Sequence, residues 1–231
     1  MNPRDRLRCA ALGASTAAMI LVPTLGPVLA GTEEGAEEWD TDITPPNYAF
    51  AIWAPIFLSN AAATVQHLAN PSAEVNRRHG WWLAGAHAAN AGWSLVAQSG
   101  RFRYTAAVLP VAAVLAGQAH RRLQPGDAGI APHSTGLLLG WTSVASVVNI
   151  VAVRGRPLPA RATASVVVGA AALLSTVVAT SRRGYVAVAA AGGWALVTNA
   201  LNPRRTRTAR AANALGATLL AATTVRRLTA R

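Results

Sequence analysis

Apolar windows of about twenty residues, the length that crosses a bilayer as a helix, recur along the whole chain. They cover 7–30, 46–68, 81–98, 104–120, 134–153 and 162–180, followed by a shorter window at 185–201 and a marginal one at 211–225. Hydrocarbon offers no partner for a backbone N–H or C=O, so a segment of this kind must satisfy its hydrogen bonds internally, as a helix. The predicted fold is therefore all-α: a polytopic membrane helix bundle of seven or eight helices. Composition agrees, because 52% hydrophobic and 13% charged residues are too apolar a mixture for a soluble domain of 231 residues.

The formal net charge of +12 comes entirely from arginine. The arginines fall in clusters between windows, at Arg77-Arg78, Arg121-Arg122, Arg154 with Arg156, Arg182-Arg183 and Arg204-Arg205. That is the distribution of connecting loops at a membrane surface, in reach of anionic lipid headgroups, and not of a nucleic-acid interface. With eight alternating helices twelve arginines fall on the side of the N-terminus and nine on the other, a weak positive-inside bias. Arg4, Arg6 and Arg8 ahead of the first window also suit a signal peptide, but an apolar stretch near 22 residues is longer than such peptides carry and favours a retained helix. The single Cys9 excludes an intramolecular disulfide and a cysteine-built metal site.

Pro45-Pro46 opens the second window, since proline fixes φ, lacks an N–H and suits a helix start. Trp53 and Phe57 follow four residues apart on one helical face, which continues through Asn60, Thr64 and His67. The third window repeats the pattern with His87, Asn90, Ser94 and Gln98, bordered by Trp93. The fifth carries Thr142, Ser146 and Asn149 beside Trp141 and Ala145. Polar side chains are costly against lipid, so three such stripes should face a shared interior. Aromatic walls with a few polar groups suit a large, flat, mostly apolar ligand; ordinary hydrogen bonding between helices is the competing use of the same residues. His87 as a haem-iron ligand competes with His87 as an interhelical hydrogen-bonding group. Gly136 and Gly140 permit close backbone approach, either within the bundle or between two copies in a homodimer.

Six of the nine acidic residues, Glu33, Glu34, Glu37, Glu38, Asp40 and Asp42, precede the Pro-Pro turn, as a solvated loop or as a lid and cation-attracting mouth. All nine lie outside the windows, which argues against a carboxylate proton relay. No His-Glu-x-x-His, Gly-x-Ser-x-Gly or phosphate-cradling glycine loop is present, so no catalytic residue is assigned and a non-enzymatic role is favoured.

Three segments together resemble the TspO/translocator-protein family, whose bacterial members are called tryptophan-rich sensory proteins. Thr44-Pro-Pro-Asn-Tyr-Ala-Phe50-Ala-Ile-Trp53 resembles the family's Trp-Thr-Pro-Pro…Phe…Trp segment. Ala89-Asn90-Ala-Gly-Trp93 resembles its Leu-Asn-x-x-Trp, and Trp141-Thr-Ser-Val-Ala145-Ser-Val-Val-Asn149 its Trp-x-x-x-Ala-x-x-x-Asn. Order and spacing agree over residues 7–153. The resemblance implies a five-helix TspO-like core, 1–153, with two or three additional C-terminal transmembrane helices in 154–231, as in the family's longer branch, the whole forming one membrane domain.

The resemblance further implies a pocket covered by the first loop, with ligand-binding positions at Phe50, Trp53, Phe57, Asn90, Trp93, Trp141, Ala145 and Asn149. Ile43 stands where the family usually has Trp, and no sterol motif closes the fifth helix. The expected function is that of a tryptophan-rich sensory or translocator-like protein, in the bacterial cytoplasmic membrane, binding a porphyrin or related tetrapyrrole for sensing or transport. Porphyrin or haem would be a ligand and not a resident cofactor, and no metal site is expected. A membrane enzyme degrading bound porphyrin and a scaffold without a small-molecule ligand are the alternatives.

Overall fold

The computed structural model describes residues 2–30, 37–127 and 129–230. Every regular element among them is helical: α1 (Pro3–Ala30), α2 (Trp53–Ala69), α3 (Glu74–Gln98), α4 (Thr105–Arg121), α5 (Ala131–Ala152), α6 (Ala160–Thr180), α7 (Tyr185–Ala200) and α8 (Arg207–Thr229). Short 3-10 turns at Glu37–Trp39, Asn47–Ile52 and Phe102–Tyr104 complete the set.

Five helices are long and apolar enough to cross a membrane: α1, α2 with its leading 3-10 turn, α4 with its own, α5 and α6. The sequence predicts seven or eight. α7 is apolar but only 16 residues long, and α3 falls short in hydropathy because it carries Asn76, His79, His87, Asn90 and Ser94 on a buried face. Those groups are buried inside the bundle and away from lipid, so the average understates how α3 sits. Its start is tied to the start of α1 by Arg77 and Asp5 and its end to the last turns of α1 by Gln98 and Val22. The two helices therefore run parallel and cover the same depth.

The first five helices close a ring in the order α1, α3, α4, α5, α2 and back to α1. α7 packs along α5, and α8 packs on both α6 and α7. The α5–α7 seam is set by small residues. A Cβ placed on Gly136 would lie 2.6 Å from Gly184 O and 2.8 Å from Ala187 Cβ. Gly136 and Gly140 are thus occupied inside the chain, as close-approach positions between two of its own helices.

The helix start predicted at Pro45-Pro46 is resolved into two pieces. Pro46, extended at φ −65° and ψ 156°, caps a 3-10 turn over Asn47–Ile52, and the α-helix begins only at Trp53. Pro55 accounts for the break: without an N–H it cannot donate to Ala51 O, so a continuous α-helix from residue 47 would lack a bond there, whereas in the first turn of α2 the loss is free. The consequence is positional. Trp53 stands at the first residue of α2, and the tighter turn before it presents Phe50 beside it.

Asp5, expected beyond the end of the first window, is inside α1 and 2% exposed. It bridges Arg8 (2.6 Å) and Arg77 (2.6 Å), so the buried carboxylate is paired on two sides and clamps α1 to α3.

Candidate functional site

Two adjoining cavities lie inside the five-helix ring. The first, of about 40 Å³, is walled by Pro45 and Phe50 of the first connection, Trp53, Trp93, Leu109, and Trp141, Val144, Ala145, Val148 and Asn149 of α5. The second, of about 180 Å³, is walled by Met19, Pro23 and Thr24 of α1 with Trp53, Phe57, Asn90, Trp93 and Ser94. Trp53 and Trp93 belong to both and form the partition between them. All eight residues singled out in the sequence stand on these walls.

The aromatic rings are mutually ordered. Trp53 stacks on Phe57 with centroids 5.2 Å apart and planes at 27°. Trp141 takes Trp53 and Phe50 edge-on, at 6.3 and 5.7 Å. Such offset and edge-to-face pairs hold ring orientation as well as burying area. The face of Trp53 and the helical register of Phe57 follow directly from their spacing of four residues.

Polar groups in this apolar space are few, and their hydrogen bonds differ. Asn149 donates Nδ2–H to Ala145 O at 2.9 Å and accepts from Trp93 Nε1–H at 3.0 Å, so it is fully engaged in joining α5 to α3. Asn90 donates to Ala86 O at 2.8 Å. Its Oδ1 is buried with no protein partner. A buried acceptor left without a donor is costly. It is a group a ligand can satisfy with an N–H or O–H. No acid–base pair accompanies it, and no group of His, Cys, Asp and Glu among the described residues is arranged to hold a metal ion.

Most of the remaining stripe residues do not reach the cavities. Asn60, Thr64 and His87 form a buried network with Thr16 between α1, α2 and α3: His87 Nε2–H donates to Asn60 Oδ1 at 2.9 Å, and His87 Nδ1 lies 2.9 Å from Thr16 Oγ1. Asn60 Nδ2 is spent on Ile56 O, which leaves its oxygen as acceptor and assigns the ring proton to Nε2. Both nitrogens are engaged and the ring is fully buried, so His87 serves in this structure as an interhelical link. His67, His79 and His120 are buried near helix ends; His67 Nε2 accepts from Arg8 Nε–H, and His120 bridges Thr135 and Ser181. Thr142 and Ser146 bond back to their own helix. A helical face wide enough to serve both a cavity and a neighbouring helix cannot be divided by spacing alone.

A model of the TSPO-like protein family matches residues 9–226. The chain belongs to the TSPO-like family. No curated protein and no solved structure matches it. The match runs from α1 into α8, so the C-terminal helices lie within the TSPO-like region as well as the five-helix ring. The chain is an integral, multi-pass membrane protein of this family.

In this TSPO-like protein the first connection is tied to the C-terminal helices, which sequence spacing does not reveal. Arg205 binds the Asp40 carboxylate through both terminal nitrogens at 2.7 Å each and donates to Thr44 O at 2.8 Å. Asp42 accepts from Thr206 N–H and Oγ1–H, while its own carbonyl accepts from Asn199. Trp194 Nε1–H donates to Ala49 O at 2.8 Å, and Tyr48 meets the Trp194 ring edge-on. Asp40 and Asp42 thus act as anchors, neither a free solvated loop nor a cation funnel. Glu33 and Glu34 lie outside the described residues, as does the side chain of Glu37. Ile43, at the position where the family usually has Trp, is buried in the apolar core and lines neither cavity.

Proposed function

We propose that this TSPO-like protein binds a flat, largely apolar ligand of the tetrapyrrole class in the paired cavity, for sensing or transport, in a bacterial cytoplasmic membrane. One observation carries the reading: Asn90, whose side-chain oxygen is buried without a protein partner, stands on the wall of a chamber lined by Trp53, Phe57, Trp93, Met19 and Pro23, with Thr24 and Ser94 as its other polar residues. A porphyrin offers broad π-faces for the tryptophans and pyrrole N–H groups for that oxygen, a match of aromatic surface and of hydrogen-bond polarity.

The two chambers are smaller than the roughly 300–1,000 Å³ usual for ligands of drug size. Admission of a tetrapyrrole therefore requires the Trp53–Trp93 partition to swing aside and the first connection to lift, which merges the chambers and opens the wall made by Pro45 and Phe50.

Titration of detergent-purified protein with protoporphyrin, haem and biliverdin, followed by tryptophan fluorescence, tests the reading. Saturable quenching is expected, with affinity for protoporphyrin about tenfold weaker in Asn90→Leu, the cost of one lost buried hydrogen bond. Absence of saturable quenching by all three compounds would sink it.

A further inference from the structure

The C-terminal helices contribute no side chain to either cavity. Yet they hold the piece of chain that closes one of them. Among the described residues, Pro45 and Phe50 are the two that the connection between α1 and α2 supplies to the wall. The carbonyl immediately before each is gripped from α7 or the α7–α8 turn: Thr44 O by Arg205, and Ala49 O by Trp194. Each bond holds the peptide plane that leads into the wall residue, and with it the position of that residue's Cα, which places Pro45 and Phe50 at the cavity. The Arg205–Asp40 fork and the Asp42 contacts with Thr206 and Asn199 add a third and fourth hold on the same segment.

We propose that α7 and the α7–α8 turn form a latch for the cavity, with Arg205, Trp194, Asn199 and Thr206 as positioning residues that keep residues 40–52 closed over it. The latch is built to release. Its holds are separate hydrogen bonds between two elements, with a half-exposed Asp40 at the outer edge, where water competes for the carboxylate. Inside it, Arg205 Nε and Asn199 Oδ1 are buried with no partner, a desolvation cost that the closed state carries and that opening to water removes. Arg205 itself is 8% exposed, so the guanidinium is committed to this contact and not to the surface. The latch follows from these contacts whatever the ligand; its effect on uptake rests on the reading of the paired cavity given above.

Hydrogen–deuterium exchange on the full chain in detergent tests the latch without a ligand, comparing wild type with Asp40→Ala/Arg205→Ala and, separately, with Trp194→Phe, which keeps a ring against Tyr48 but removes the donor to Ala49. Backbone amides of residues 41–52 are expected to exchange at least about tenfold faster in the double variant and a few-fold faster in Trp194→Phe, with α5 at its wild-type rate. Wild-type exchange in residues 41–52 in both variants would overturn the latch. So would equal acceleration of α5, because the contacts would then hold the bundle as a whole. In a second arm, stopped-flow quenching by protoporphyrin should show association and dissociation both accelerating in the double variant. Faster exchange with wild-type quenching rates would leave the latch standing and remove the cavity as the porphyrin site.

Discussion

Trp93 donates its indole N–H to the side-chain oxygen of Asn149 at 3.0 Å, linking α3 to α5 beside the partition between the two chambers. The bond fixes the edge of a ring that belongs to both walls. Replacement by Phe keeps a ring but leaves the Asn149 oxygen without its donor. Trp93→Phe is expected to lower stability in detergent by about 1 kcal/mol, and a double-mutant cycle with Asn149→Leu to return a coupling near the ~0.6 kcal/mol typical of hydrogen bonds between membrane helices. Thermal or denaturant unfolding of the four proteins measures it; a coupling of zero would mean that the bond holds no ring in place.

His87 provides a sharper contrast between support and ligation. Both ring nitrogens are occupied, by Asn60 and Thr16, and the ring has no exposed surface. His87→Leu should therefore cost stability, about 1–3 kcal/mol for the Asn60 oxygen left without its donor, while the absorption spectrum of added haem stays as in wild type. Loss of a low-spin Soret signature in the variant would show instead that the imidazole reaches iron.

The sequence conveys some parts of this protein well and others not at all. Apolar length identifies α1, α2, α4, α5 and α6, and the polar stripe compensates for the lower hydropathy of α3. Spacing also brings Trp53 to Phe57 and places Trp141, Ala145 and Asn149 on one wall. It does not separate Asn90, which faces a cavity, from Asn60 and His87, which face neighbouring helices, because one helical face serves both purposes. The start of α2 is displaced for a local reason, Pro55, that is visible in the sequence once the cost of a missing N–H is counted. The grip of Arg205 and Trp194 on the first connection is of another kind. It joins residues roughly 150 positions apart through backbone carbonyls, which carry no residue signature.

Two glycines should respond oppositely to a larger side chain. Gly136 faces the backbone of α7, where a Cβ would meet Gly184 O at 2.6 Å and Val188 N at 3.2 Å, atoms of a helix start that cannot rotate away. Gly169, in α6, has nothing within 4 Å of the same position. Gly136→Val is expected to separate α5 from α7 and to cost at least about 2 kcal/mol. Gly169→Ala should be neutral or gain up to about 1 kcal/mol from helix propensity. Melting temperatures of the two variants in the same detergent check both signs; equal effects would show that the α5–α7 seam does not depend on close approach.

The connection between α4 and α5 holds a carboxylate whose titration is readable at the surface. Partial burial alone would raise the pKa of Asp127, but the Arg78 guanidinium, at 2.6 and 2.8 Å from its two oxygens, and the Gln124 N–H at 2.7 Å outweigh it and hold the group below its ordinary 3.8. A carboxyl with a lower pKa in the folded than in the unfolded chain adds stability above the unfolded value, and that contribution disappears as pH falls through the folded one. Asp127→Asn removes the charge at every pH while keeping the shape. The wild type should therefore melt at a higher temperature than Asp127→Asn at pH 6 to 7, and the gap should begin to narrow near pH 4 and close below it. No gap at pH 6 to 7 would mean that the Asp127 carboxylate contributes through shape alone and that its charge pairing with Arg78 adds nothing to stability, and a gap that stays constant from pH 7 down to pH 3 would mean that the difference does not arise from ionisation of Asp127.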